Sequence, residues 1–369
     1  MKRATILFLL LLFGLMGTVW AGDQIGVFAN NNTNSIQTID PQTVNTYGCF
    51  LNGNFGSYGG GLFDVVITPD GKTAIVSNFG DSKIFFIDIS GSYPDQSVSP
   101  VIRIYDQNGF FIPFFAEDMA ITPDGKHVLV TDGGFSPRVA IVDIQNRTLV
   151  RVVNLRRRYA NAIDIAPDGK TVLTADYFGK AIHSYSLKIT PAGTYTLKYT
   201  NTADTSIFRP VNVTISPDGK TVIAAIAGSS QAVICLIDSQ GKVCYMGSKA
   251  MPSKNGQSCV FSHDGTRAYY LSNSQNKGTL VHVLNVLGPG IVSVSGISLQ
   301  VEPMRGTSQL FGVDTIALDP AGNFLYVTNP TVSGGIAGVS VLDLTIGSQV
   351  DLLPACGIPT GIAFSRMLQ

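Results

Sequence analysis

Runs of five to seven mostly apolar residues alternate along the chain with short polar turns, and one turn keeps returning. Leu62 to Thr68 leads into Pro69-Asp70-Gly71-Lys72, and Thr73-Ala74-Ile75-Val76-Ser77-Asn78 leads out. The same turn follows Thr122, Ala166 and Ser216, and altered copies stand at Ser262-His263-Asp264-Gly265 and Asp319-Pro320-Ala321-Gly322. Runs of this length, rich in valine and isoleucine and bounded by turn residues, predict strands rather than helices. Proline presets the first corner of a type I turn, aspartate bonds back to its own backbone, and glycine takes the left-handed conformation that follows. Such a turn closes an antiparallel hairpin. It is a fold signal, not an active site.

The turn glycines, at 71, 125, 169, 219, 265 and 322, are spaced by 54, 44, 50, 46 and 57 residues. Repeats of ~40 to 50 residues built of short strands predict a propeller, one four-stranded blade per repeat. Six units are complete. At the C-terminus, Thr360 to Ser365 reads as a first strand with nothing after it. At the N-terminus, Gln24 to Asn30, Ser35 to Asp40 and Thr46 to Leu51 read as second, third and fourth strands with no first. Together they predict a seventh blade that joins the chain ends and removes the free sheet edges. The expected fold is all-β: a single seven-bladed propeller over residues 22–369.

Several of these runs carry a recognisable signature. Tyr326-Val327-Thr328-Asn329, followed by Val339-Ser340-Val341-Leu342-Asp343 and Thr345, resembles the YVTN-type β-propeller repeats of bacterial and archaeal secreted and surface-layer proteins. Ala74 to Asn78 with Ile84 to Asp88, and Val128 to Asp132 with Ala140 to Asp143, are weaker copies. The chain is also similar, at superfamily distance, to seven-bladed lactonase-like propellers. These resemblances imply the fold and leave the function open, because one fold hosts many activities. Tryptophan–aspartate propellers are a poorer match, since the only tryptophan is Trp20.

Residues 1–21 have the form of a secretory signal peptide, with Lys2 and Arg3, an apolar run from Ala4 to Met16, and Val19-Trp20-Ala21 placed for cleavage. The expected location is therefore periplasmic or extracellular, with no membrane span after cleavage. Removing Lys2 and Arg3 from a balance of 25 basic and 25 acidic residues leaves a near-neutral chain, against a nucleic-acid partner. Hydrophobic residues make up 45% and charged ones 14%, which suits a large buried core. A monomer is expected. Of five cysteines, Cys235 and Cys244 flank the turn Asp238 to Gly241 and are expected to pair in a disulfide, while no spacing dictates a partner for Cys49 or Cys356.

Candidate chemistry lies where the first strands begin, because the loops entering them gather round a central channel. The blades place Asp64, Glu117 and Asp118, Asn161, Asn212, Gln257 and Ser258, Asp314 and Thr315, and Thr360 there. Such a ring could take a hard cation such as calcium, or simply meet channel water and cap the inner strands. No cofactor is otherwise called for. Arg156-Arg157-Arg158 and Arg209 lie in loops on the same face and could fork onto a carboxylate, or stay solvated. The lactonase-like resemblance implies a polar cluster of histidine, arginine and glutamate; Glu117, Asp118 and Arg158 are the catalytic candidates, but none of His127, His183, His263 and His282 falls at a first-strand entrance. Phe111 and Phe114, in an enlarged loop, form either a partner surface or a plug over the channel mouth. The expected function is a binding scaffold for a protein or small molecule on the channel-mouth face, with an acidic-lactone hydrolase and a surface-layer structural role as alternatives.

Overall fold

A computed structural model of the chain describes residues 25–50, 61–90, 98–104, 113–134, 136–155, 159–190, 195–274, 278–301, 315–329 and 337–365. They form seven four-stranded antiparallel sheets, as the repeats predict. The innermost strands of blades 1 to 6 are Leu62–Ile67, Ala116–Ile121, Ala162–Ile165, Arg209–Ile215, Gly256–Phe261 and Ile316–Leu318. Each contacts the innermost strand of the next blade, and the series closes on itself.

Closure is made by the chain ends. Pro359–Phe364 is the innermost strand of blade 7 and pairs with Gly26–Asn30, setting Val27 opposite Ala363 and Phe28 opposite Ile362. The new inner strand lies tightly against blade 1: a Cβ on Gly361 would come within 2.7 Å of Asp64 Cα. No helix among the described residues is long and apolar enough to cross a membrane.

The apolar core is divided among the seven blade interfaces. Ile75, Ile84 and Phe86 of blade 1 pack on Met119, Val128 and Val130 of blade 2, for example, and corresponding clusters recur round the ring to Phe28 and Ile362 against Tyr326 and Val341. The second strands, such as His127–Asp132 and Thr221–Ala227, are buried along their whole length because each sheet must present side chains to a neighbour on both faces.

The repeated turns also bind the blades together. Gly71, Gly125, Gly169 and Gly219 have φ of 66–74°, the left-handed region that the turn requires. Each turn proline packs on the glycine of the following turn, with Pro69 Cδ 3.1 Å from where a Gly125 Cβ would lie, and likewise Pro123 on Gly169, Pro167 on Gly219 and Pro217 on Gly265. His263 takes the proline's place against Gly322, and its Nε2 lies 2.9 Å from Asp319 O.

The expected Cys235–Cys244 disulfide is not formed; both thiols are free. The register running out of the turn, Ile237 opposite Val243, sets Cys235 opposite Tyr245 and Cys244 opposite Leu236. That one-residue offset turns the two thiols to opposite faces of the sheet. Burial pushes the Cys235 thiol up to about 12, so it stays protonated as a small apolar group. Cys356 is disulfide-bonded.

Candidate functional site

Polar residues at the ends of several second strands build part of the rim. The penultimate hydroxyl ties neighbouring blades: Ser77 Oγ donates to Glu117 O at 3.2 Å and Thr328 Oγ1 to Thr360 O at 2.7 Å, in each case the following blade. The last residue holds the loop that enters the first strand. Asp132 Oδ1 accepts the N–H of Phe115 at 3.0 Å, and Asp176 Oδ2 accepts that of Tyr159 at 3.2 Å. Backbone donors at these entrances would otherwise be buried without partners.

Most of the described polar residues at the first-strand entrances are committed to the fold. Asp64 and Asp118 occupy the same position in successive blades and do the same work. Asp64 Oδ2 accepts Met119 N–H at 3.0 Å, and Asp118 Oδ2 accepts Ile163 N–H at 2.7 Å. Two positions further on, Asp164 Oδ2 accepts Ile215 N–H at 2.7 Å and Thr214 Oγ1 donates to Cys259 O at 2.8 Å. These are charge-assisted or hydroxyl clasps between adjacent innermost strands, and both ring aspartates are buried. Asn212 is also buried and accepts the Thr214 hydroxyl at 3.2 Å, and Gln257 is buried in blade 5.

Glu117 is different. It is 4% exposed, and its Oε2 has no hydrogen-bond partner. Burial drives its pKa well above the carboxylate range, a hydrogen bond from Asn161 pulls the other way, and the Asp132 carboxylate adds to the rise. The carboxyl is accommodated because residue 133 is glycine: a Cβ there would lie 2.1 Å from Glu117 Oε2. Asn161 also accepts Tyr177 N–H through Oδ1 at 3.2 Å, so it bridges Glu117 to the neighbouring loop.

Of the arginines, Arg209 is exposed with its guanidinium 5.0 Å from the Tyr177 ring centre. Arg138, which sequence reasoning passed over, pairs with Asp132, Nε to Oδ2 at 2.7 Å, and lies 5.5 Å from the ring centre of Phe114. Burial raises Asp132, and the Arg138 guanidinium opposes the rise. Phe114 is fully buried between blades 1 and 2, so it plugs the fold and is not a ligand contact. Arg158, Asp314 and Phe111 lie outside the described residues.

The accessible part of the rim is aromatic. Phe63, Phe79 and Phe115 stack at 5.2 and 5.1 Å in blades 1 and 2. In blade 3, Phe178 makes edge-to-face contacts with Tyr159 and Tyr177, each at 5.3 Å between ring centres, with Arg209 beyond. Phe115 is 37% exposed, Phe178 50% and Ile207 75%. Phe115 and Tyr159 each stand two residues before a member of the Glu117–Asn161 pair.

Solved structures share this architecture. A protein of unknown function from Desulfotomaculum acetoxidans is similar with a TM-score of 0.76 and 17% identity, over 93% of this chain and 99% of that one. The periplasmic gluconolactonase of Pseudomonas aeruginosa is similar with a TM-score of 0.68 and 15% identity, over 94% of this chain and 100% of that one. Hydrazine synthase of Kuenenia stuttgartiensis is similar with a TM-score of 0.60 and 22% identity, over 83% and 90%. The likeness is one of fold. No family model matches the sequence, and no curated protein matches it either.

Proposed function

We propose that this chain is an exported binding module that engages its partner through the aromatic rim around the channel mouth. One observation carries the reading: the carboxylates a hydrolytic site would draw on are held by the fold. Asp64 and Asp118 accept backbone N–H groups of the next blade, and Glu117 is buried, which raises its pKa well above the carboxylate range. A general base has to be ionised and within reach of the proton it removes. The rim instead offers Phe115, Phe178, Ile207 and Arg209 to solvent, and exposed aromatic and arginine side chains anchor protein and ligand interfaces. The signal-like residues 1–21 and the YVTN-type signature support export and membership of the secreted repeat propellers.

A lactone hydrolase is the second reading, favoured by the likeness to the gluconolactonase of P. aeruginosa. Two measurements on the mature protein separate the readings: retention of envelope components on the immobilised chain, and hydrolysis of glucono-δ-lactone followed by pH-stat. The binding reading expects a retained component that the Phe115→Ser/Phe178→Ser variant loses, with no hydrolysis above background. Hydrolysis that Glu117→Gln abolishes would overturn it.

A further inference from the structure

Blade 3 carries a line of polar side chains that runs outward from the rim residue Asp176. Its second strand, Thr171–Asp176, ends at Asp176; its third, Ala181–Ile189, carries His183; its outermost, Tyr195–Asp204, carries Tyr199 and Thr202. His183 and Thr202 face each other directly in the strand register. His183 Nε2 lies 3.1 Å from Asp176 Oδ2, His183 Nδ1 lies 2.8 Å from Thr202 Oγ1, and the Tyr199 hydroxyl lies 2.9 Å from the same Oγ1.

The direction of these hydrogen bonds follows from the chemistry. Asp176 is buried and fixed by the N–H groups of Gly179, at 2.6 Å to Oδ1, and Tyr159, at 3.2 Å to Oδ2. An ionised carboxylate only accepts, so His183 carries its proton on Nε2 and turns the Nδ1 lone pair to the Thr202 hydroxyl. Asp176 and His183 are buried, whereas Thr202 is exposed. Hydroxyl, base and orienting carboxylate thus stand in the order of a nucleophilic triad, with the two ring nitrogens exchanged relative to the serine-protease arrangement.

Blade 5 holds an internal comparison. His282 faces Ser298 in the same register and lies 2.7 Å from its Oγ through Nδ1. At its Nε2, however, stand the hydroxyls of Ser253 and Ser272, at 2.7 and 2.9 Å, where blade 3 has a carboxylate. A hydroxyl can donate or accept, so it neither fixes the tautomer nor balances an imidazolium.

We infer that Thr202 is a nucleophile toward activated carboxylic esters. Thr202 Oγ1 adds to the ester carbonyl carbon as its proton passes to His183 Nδ1, and Asp176 stabilises the imidazolium. The tetrahedral adduct then collapses, the bond to the leaving oxygen breaks, and that oxygen departs with the proton returned by His183. An acyl-threonine ester and a free alcohol or phenol result. The Tyr199 hydroxyl stands close enough to turn from Oγ1 to the developing oxyanion.

The experiment treats the mature chain with 4-nitrophenyl acetate, follows nitrophenol release, and maps acetylated peptides by mass spectrometry. The expected result is acetylation of the Thr202 peptide at least about tenfold faster than of the Ser298 peptide, a modest fraction of what a positioned base supplies. Thr202→Val should abolish the fast phase with its melting temperature unchanged, as the site is exposed, and Asp176→Asn should slow it. Thr202 acetylated no faster than Ser298, or a fast phase surviving in Thr202→Val, would mean that the hydrogen bonds only pin the outer strands and would overturn the inference.

Discussion

Glu117→Gln isolates the one carboxyl of the rim whose ionisation matters most. Glutamine has the size and hydrogen-bonding capacity of the protonated acid, so the variant freezes the state assigned to the folded protein. The expected effect follows from linkage. Glu117 has a folded pKa raised well above its ordinary 4.5, so below about pH 4.5 both folded and unfolded chains hold the proton and the group makes no difference. As pH rises past that point the unfolded chain ionises while the folded one keeps its proton, and native stability falls by about 1.4 kcal/mol per pH unit until the folded group titrates. Glu117→Gln removes this loss. Urea unfolding followed by circular dichroism between about pH 4 and pH 8 should show variant and wild type closest at the acid end. The variant should gain steadily toward neutrality. A difference independent of pH, or a variant less stable than wild type near neutral pH, would show that Glu117 is ionised in the fold. It would then be available as a base, and the binding reading would lose its main support.

Three further outcomes are expected. Deleting residues 358–369 removes Ile362, 1% exposed, and uncovers Phe28 and Tyr326; the loss should reach at least about 5 kcal/mol, and a truncated chain melting within about two degrees of full length would refute closure by the terminal strand. Phe114→Ser should cost about 3–5 kcal/mol in denaturant unfolding, because the ring is fully buried between blades 1 and 2; a neutral effect would return Phe114 to the accessible surface. His127 packs against Tyr195 with both ring nitrogens lacking hydrogen bonds, and burial lowers its pKa from 6.5 despite Asp143 and Asp124 nearby. The unfolded chain therefore takes up a proton first as pH falls through about 6.5, so native stability declines on that side, and His127→Phe should flatten the decline seen in thermal melts.

The fold was legible because its determinants are local. Each Pro-Asp-Gly turn announces its hairpin within five residues, and the spacing of the turns counts the blades. What the turns do for each other was not legible, since the packing of Pro69 on Gly125 joins residues a whole blade apart. The same distance hid the role of the polar ring. Asp64 and Asp118 stand where channel chemistry would be sought, and sequence alone does not show that their partners are N–H groups 55 and 45 residues further along. The cysteine pairing failed on a smaller scale, because a hairpin register one residue away from the expected one turns the two side chains to opposite faces.

These cases share a pattern that guides where function is sought. Polar residues that recur at one position in several blades, such as Asp64 and Asp118 or Ser77 and Thr328, answer a demand every blade makes: the inner strands carry backbone groups that must be paired across the interface. A residue that answers a demand common to all blades has little freedom to serve a ligand. Glu117, with an oxygen the fold leaves unpaired, has no such common duty, and Asp176, although it holds an entering loop as Asp132 does, also meets His183 where blade 5 has only hydroxyls. Burying a polar group without a shared structural return is costly, so these exceptions to the repeat are the positions where a specific chemistry has the most physical room to act.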